Sequence, residues 1–397
     1  MDKEKLILEF IKSKEYVPMK AKELAIIFNV EKENIDEFKK LLAKMEQEGK
    51  ITKNRRNKYS LNKIETIVGT FKNSKSFGFV VPDNKKSSRD IFISKKNFNG
   101  AKDNDKVVVQ ITKQEEKGKK PEGKIIEVIG NINVAGIDML SLIKEYNLPY
   151  EFPKPVIDEA KNIEKEVKLE ELENRKDFRE EIVFTIDGED AKDLDDAVSV
   201  EKNDNGNYIL KVHIADVSHY VKEESFLDKE AIIRGTSVYM LDRVIPMLPK
   251  QLSNGICSLN EGKNRLTLSV IIELDKNGNV ISSEIMKGVI KVTKRMSYNI
   301  VQELLDLKED SKIREELKEY LPYIEHFKLM GELAHILQEK RKENGYLNLN
   351  IPESDITLDK DGRAIEVKKY ELNFSNLIIE QFMLTAIEVV AEKFYWL

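Results

Sequence analysis

The residues most suited to chemistry lie in one short run, TIDGEDAKDLDDAV at 185–198. Five aspartates and one glutamate fall within the ten residues 187–196, between apolar flanks that read as strands. Carboxylates crowded in a folded interior repel one another unless a cation neutralises them, and a solvated acidic tail would lack the apolar flanks. A donor set made only of oxygen selects hard cations, Mg2+, Mn2+ or Ca2+, over zinc. The spacing is not that of an EF-hand loop, because the twelfth position counted from Asp187 is Val198 and not glutamate. Two hard cations bridged by such carboxylates could stabilise the attacking and leaving oxygens of phosphodiester cleavage. A structural calcium loop or a plain surface turn is the competing reading. The single cysteine, Cys257, follows an apolar Ile256 and reads as buried and inert. It also excludes a disulfide framework and a cysteine-based zinc cluster. The four histidines are scattered, so His213 and His219 read as structural residues.

A second group suggests stacking. Phe77 and Phe79 alternate on one segment and Phe92 sits on the next, with Lys72, Lys75 and Lys95 around them. Alternate residues of a strand share a face, so Phe77 and Phe79 can lie side by side, and Gly78 between them would leave a flat surface for a base. Rings flanked by lysines form a platform for single-stranded nucleic acid, each stacked base contributing about 1–3 kcal/mol. The alternative is that all three rings fill a barrel core.

These residues need elements to carry them. At 397 residues the chain has room for about two to four domains. Residues 1–62 show three amphipathic helical patterns, around Leu6–Ile11, Leu24–Phe28 and Ile35–Met45, the last closed by Gly49. An alternating basic tail, KITKNRRNKYSL, follows with Asn-Lys at its turn, which suggests a winged helix. Residues 66–130 switch to period-2 alternation in five short runs, TIVGTF, FGFVVP, DIFIS, KVVVQIT and GKIIEVIG. Five strands in so short a segment suit a small closed OB-type barrel. Residues 131–181 are acidic, partly helical and interrupted by Pro149, Pro153 and Pro155, and read as a linker with an exposed helix. From 182 to 397 strands and helices mix, with helices expected near 300–308, 311–319, 322–343 and 375–395. The predicted fold class is therefore multidomain α+β.

Composition sets the surroundings. With 41% hydrophobic and 35% charged residues, and no run near 18 uninterrupted apolar residues, neither a membrane span nor a membrane partner is expected. The N-terminus carries no signal-peptide pattern, and the reading is cytoplasmic. The formal net charge of −5 conceals a division. Residues 49–130 hold 20 basic against 9 acidic residues, and residues 131–200 hold 9 against 19. A basic half beside an acidic centre fits a polyanion binder with a metal site.

The ordered motifs resemble the ribonuclease II / ribonuclease R exoribonuclease family. They are Arg175 with Asp177-Phe178-Arg179, TIDGEDAKDLDDAV, HIADVSHYV (213–221), RGTSVY (234–239), VIPMLPKQLSNGICSLN (244–260), RLTLSV (265–270) and LIIEQFML (377–384). The winged helix and the cold-shock-like barrel point to the ribonuclease R branch. The resemblance implies that residues 182–397 are the N-terminal part of an RNB-type catalytic domain. It implies that Asp187, Asp193 and Asp196 mainly hold Mg2+ (or Mn2+) and that Asp195 is the aspartate most critical for turnover. Tyr239 matches an aromatic residue that stacks on a base near the RNA 3′ end. Tyr298 matches a tyrosine lining the catalytic cavity, and Glu380 an acidic residue near the terminal nucleotides and ribose. The implied activity is processive 3′→5′ hydrolysis of single-stranded RNA to nucleoside 5′-monophosphates, by a monomer that could also meet structured RNA or ribosomes.

Two departures from the family pattern stand out. The family carries two cold-shock barrels and only one can be placed here, as though one were lost or two had merged across the lysine-rich EEKGKKPEGK (115–124). A Ser-Pro-Ile-Arg-type motif that brings an arginine to the family's active site has no match, nor does a C-terminal S1 barrel, so the catalytic domain reads as incomplete. An RNA-binding regulator with a degenerate nuclease domain is the main rival reading. A winged-helix DNA regulator with a calcium loop is a weaker one.

Overall fold

The computed structural model describes residues 3–13, 16–47, 50–53, 57–61, 66–84, 89–115, 120–308, 313–347, 351, 353–370 and 372–396. Gly49, residues 54–56 of the basic tail and residues 116–119 of the lysine-rich run lie outside the described residues, and of the expected Asn-Lys turn Lys58 already belongs to the last strand of the tail. The chain divides into two compact units, residues 1–147 and 148–397.

The first unit begins with α1 (Lys3–Lys12), β1 (Met19–Lys20), α2 (Ala21–Ile27), α3 (Ile35–Gln47), β2 (Ile51–Lys53) and β3 (Lys58–Leu61). The strands form an antiparallel sheet in the order β1-β3-β2. Ile7, Ile11, Leu24, Phe38, Leu42 and Met45 form its core, the residues whose helical spacing marked them as apolar faces.

Five strands then close a barrel in the order β4-β5-β6-β8-β7. They are β4 (Thr66–Asn73), β5 (Phe77–Pro82), β6 (Ile91–Ser94), β7 (Asp105–Lys113) and β8 (Glu122–Asn131). All pairings are antiparallel except β6 with β8. Alternation decides which side chains fill it: Phe71, Val80, Ile91, Ile93, Val107, Val109 and Ile125 point inward and are buried. The helix α4 (Ile137–Glu145) packs against β4, β7 and β8.

The second unit is built on a seven-stranded mixed sheet in the order β17-β10-β11-β12-β15-β16-β9. In chain order its elements are α5 (Lys154–Lys161), β9 (Lys176–Asp177), β10 (Phe184–Asp187), β11 (Asp196–Lys202), β12 (Tyr208–Ala215), α6 (Val217–Tyr220), α7 (Phe226–Arg234), β13 (Val238–Tyr239), β14 (Val244–Ile245), β15 (Asn264–Leu274), β16 (Val280–Lys291) and β17 (Lys294–Ser297). Then come α8 (Tyr298–Leu305), α9 (Ile324–Glu343), the hairpin β18 (Ser354–Leu358) and β19 (Ala364–Lys369), and α10 (Phe374–Tyr395). One sheet face, with Phe184, Ile186, Val198, Val200, Leu210 and Ile272, packs on α8, α9 and α10. The other, with Ala197, Ala215 and Ile290, packs on Val156 and Ala160 of α5, Leu227 of α7 and the segment around Leu252 and Ile256.

Two segments differ from expectation. Residues 131–181 are not an exposed linker along their length: Ile137 and Ile143 are buried on the barrel side, and Val156 and Ala160 are buried in a core of the seven-stranded sheet. Residues 315–323 form 3-10 turns and not the α-helix expected at 311–319, with Pro322 inside them removing a backbone donor. By length and composition α10 could cross a membrane, yet Ile378 and Phe382 on it are wholly buried in the sheet–helix core.

Candidate active site and aromatic face

The aspartates gather where two strand ends meet. Asp187 ends β10, Asp196 begins β11, and the strands pair antiparallel through Phe184 and Val198. Continuing that register brings residues 187 and 195 to the same level, so one loop returns all four carboxylates to one end of the sheet. On the other flank β10 runs parallel to β17, with Asp187 opposite Ser297. Ser297 caps α8, its Oγ accepting the Ile300 N–H at 3.2 Å. The positive end of a helix thus begins beside Asp187.

The loop between the strands is anchored through its backbone. Arg295 Nη2 donates to the carbonyls of Glu189 and Ala191, both at 2.7 Å. Ser258 Oγ accepts the Leu194 N–H at 3.1 Å and donates to the Lys192 carbonyl at 2.9 Å. The Leu259 N–H donates to the Leu194 carbonyl at 2.8 Å, and the Ala215 N–H to the Asp195 carbonyl at 3.0 Å. Buried Arg265 holds the Ser258 segment in turn, donating to the carbonyls of Ser258 and Gly255 at 2.7 and 3.1 Å.

Crowding shows in the electrostatics. Burial, then the charges of Asp195 and Asp193, push Asp187 up to about 6, against a smaller lowering by Arg295. Burial and the charges of Asp187 and Asp195 push Asp196 up to about 6 as well. Asp195, though exposed at the surface, is also raised, by desolvation and by Asp193. One oxygen of Asp187, Oδ2, is buried without a hydrogen-bond partner. An orphaned acceptor and mutually repelling acids call for a cation, and the donors are all hard oxygens. Among the described residues no three His, Cys, Asp or Glu side chains close into a ready-made metal cage. The fit is therefore one of donor chemistry and charge.

Two of the expected aromatics stand at this cluster. The Tyr239 hydroxyl donates to Asp193 Oδ2 at 2.5 Å, while the side chain is 66% exposed and open to a ligand. Burial and the charges of Asp187 and Asp196 push Tyr298 up to about 12, which places its hydroxyl in their field. Glu380 is not brought into this set: it is exposed on α10 and accepts a hydrogen bond from the Tyr346 hydroxyl at 3.2 Å. Glu189 is held aside by Asn299, whose Nδ2 donates to Glu189 Oε1 at 2.9 Å. Cys257 is buried, and desolvation and the Asp195 charge push its thiol up to about 12. His213 is buried and pairs with Ser269 Oγ at 2.7 Å, and His219 faces Glu171 at 2.6 Å. Ser258 lies inside a quoted motif and Arg295 three residues before Tyr298, but no sequence signal separates a side chain that grips a loop backbone from its neighbours.

In the barrel, Phe77, Phe79 and Phe92 form a triangle of rings with centroids 5.4–5.9 Å apart. They are half-buried and lie apart from the barrel core. Lys72 and Lys75 are exposed nearby, Lys72 donating to Asn104 at 2.5 Å. Lys120, not singled out in the sequence, places its ammonium 4.3 Å from the Phe79 centroid. Gly78 does not provide a flat base-binding surface. It faces inward, and a Cβ there would lie 2.3 Å from the Phe71 ring, so glycine makes room for a core aromatic.

Fold and site together define a cluster of aspartates at one end of a mixed sheet, in a chain that also bears an OB-type barrel. An RNB domain model matches residues 175–397, and a cold shock domain model matches residues 79–153. The chain belongs to the ribonuclease II / ribonuclease R family. It is similar to the Thermotoga maritima ribonuclease R, with 47% identity over 334 residues, 83% of this chain and 46% of that protein. The Escherichia coli ribonuclease R is 35% identical over 82% of this chain and 39% of its own length. The structure of Mycoplasma genitalium RNase R in complex with double-stranded RNA superposes with a TM-score of 0.74 at 26% identity, covering 83% of this chain and 57% of that one. This chain spans about half the length of the curated relatives it matches.

Proposed function

We propose that the chain acts as a processive Mg2+-dependent 3′→5′ exoribonuclease that releases nucleoside 5′-monophosphates from single-stranded RNA. The observation that carries this reading is the orphaned, half-buried Asp187 carboxylate beside Asp193, Asp195 and Asp196 at one sheet end. Asp187, Asp193 and Asp196 are the residues that would hold Mg2+ or Mn2+. A hard divalent cation bound there supplies Lewis-acid polarisation of a phosphate and acidification of a water. Asp195, which is exposed, would take a proton from attacking water. Tyr239 would offer its exposed ring to a base near the 3′ end, and Tyr298 would line the catalytic cavity, as the family resemblance implies. Glu380 would act on the terminal ribose only after the Tyr346 contact opens. The first residues, with their helix–strand–helix–helix–strand–strand order, are read as a winged helix that, with the barrel rings and lysines, collects RNA. The M. genitalium relatives bound to double-stranded and to ribose-methylated single-stranded RNA support RNA, structured RNA included, as the ligand.

The rival reading is an RNA-binding regulator with a degenerate nuclease domain. Incubation with 3′- and with 5′-labelled single-stranded RNA and Mg2+ decides between them. The expected result is a 3′→5′ ladder with mononucleotide product, slowed at least ~100-fold in Asp195→Asn with RNA affinity kept. RNA binding without cleavage by the wild-type chain would select the regulator.

A further inference from the structure

We propose that Arg295 is a positioning residue that holds the carboxylate loop in its cation-binding shape; the inference rests on the proposed metal-dependent function. The loop between β10 and β11 must carry Asp193, Asp195 and Asp196 back to Asp187. Its second half is gripped by Ser258 Oγ, Leu259 N–H and Ala215 N–H. Its first half has one internal backbone bond, from the Ala191 N–H to the Gly188 carbonyl at 3.2 Å. The remaining backbone grip there, among the described residues, is the Arg295 guanidinium, whose Nη2 takes the carbonyls of Glu189 and Ala191 together at 2.7 Å. The strand register makes this possible. β17 pairs parallel with β10, setting Arg295 beside Thr185 and two residues before Ser297, the neighbour of Asp187. From there a long side chain reaches over the departing loop, and its own backbone N–H is fixed by Glu261 Oε2 at 3.0 Å. Asn299, four residues on, holds Glu189 away from the aspartates. One side chain on β17 and one at the start of α8 thus set the part of the loop that lacks other anchors.

Electrostatics and positioning predict opposite signs for removing Arg295. The guanidinium lies in the field of Asp187, so deleting a positive charge should by Coulomb's law tighten the binding of a cation. Loosening the loop spreads the ligands and should weaken it. The test is thermal denaturation of the full chain titrated with MgCl2, for wild type, Arg295→Ala and Arg295→Lys. The Mg2+ concentration that gives half the maximal rise in Tm should increase at least fivefold in Arg295→Ala. Arg295→Lys should fall between, because an ammonium reaches the carbonyls without the rigid fork. An unchanged or lower half-point in Arg295→Ala overturns the proposal. Amide hydrogen exchange without metal gives an independent reading. Residues 188–191 should exchange faster in Arg295→Ala while 197–201 stay protected, and equal exchange across the loop also overturns it. If wild type shows no Mg2+-dependent Tm rise, the metal reading fails, and the exchange result alone decides the role of Arg295.

Discussion

At the scale of single residues, the cluster is a source of instability that a cation would relieve. Asp187 and Asp196 sit near 6, above the ordinary aspartate value of 3.8. A carboxyl raised by folding favours the native state while protonated. That contribution is complete below pH about 4 and is lost as pH rises through 6. For Asp187 the rise corresponds to about 3 kcal/mol, and screening of a half-buried group reduces the expected effect to about 1 kcal/mol. Asp187→Asn should therefore raise the Tm of the metal-free chain by about 2–4 °C at pH 7.5 and leave it unchanged at pH 4. Mg2+ should stabilise wild type more than the variant at the higher pH. A wild-type Tm at or above that of the variant at pH 7.5 would count against the crowding. The same scale separates Tyr239, tied to Asp193 at 2.5 Å, from Glu380, whose partner is Tyr346. Matching motifs marked both, and only the folded arrangement distinguishes them.

At the scale of elements, β5 carries two jobs on its two faces. Phe77 and Phe79 point outward with Phe92, and Gly78 points in against Phe71. Phe79→Ala should lower single-stranded RNA affinity by about 10- to 100-fold, the loss of about one stacked base, with little change in Tm. Gly78→Ala should do the reverse, because its methyl group would meet the Phe71 ring and cost about 1–3 kcal/mol of stability. Filter binding and thermal melts of both variants check this. A Gly78→Ala protein of normal Tm that fails to bind RNA would restore Gly78 to the binding surface. Period-2 alternation made the five strands and the outward rings legible. It also places Gly78 opposite its neighbours, a consequence of the pattern that the flat-surface reading overlooked.

At the scale of the whole molecule, the division of charge outweighs its sum. Residues 49–130 carry 20 basic against 9 acidic residues, while the acidic excess that follows ends in the aspartate cluster. Binding through the basic half releases counterions from RNA, so affinity should fall steeply with salt. With about five phosphates engaged, Kd should rise on the order of 100-fold between 50 and 200 mM KCl. Fluorescence anisotropy across that range tests it, and an affinity independent of salt would remove the basic segment from the binding role. The two compact units have separate cores, so the charge pattern follows the division of the chain at 147 and 148 only in part.

The sequence by itself determined the local matters: helical and alternating periods, the five barrel strands and the carboxylate run. Each depends on residues near one another in the chain, where side-chain direction follows from helix or strand geometry. The tertiary structure decided what depends on distant partners. It set Arg295 and Ser258 on the carboxylate loop across 104 and 66 residues of sequence, seated Phe71 under Gly78, and drew Glu380 to Tyr346. It also placed α4 on the barrel and α5 on the seven-stranded sheet, where composition had suggested a linker. Those outcomes follow from register and packing between segments far apart in the chain, and no spacing within one segment encodes them.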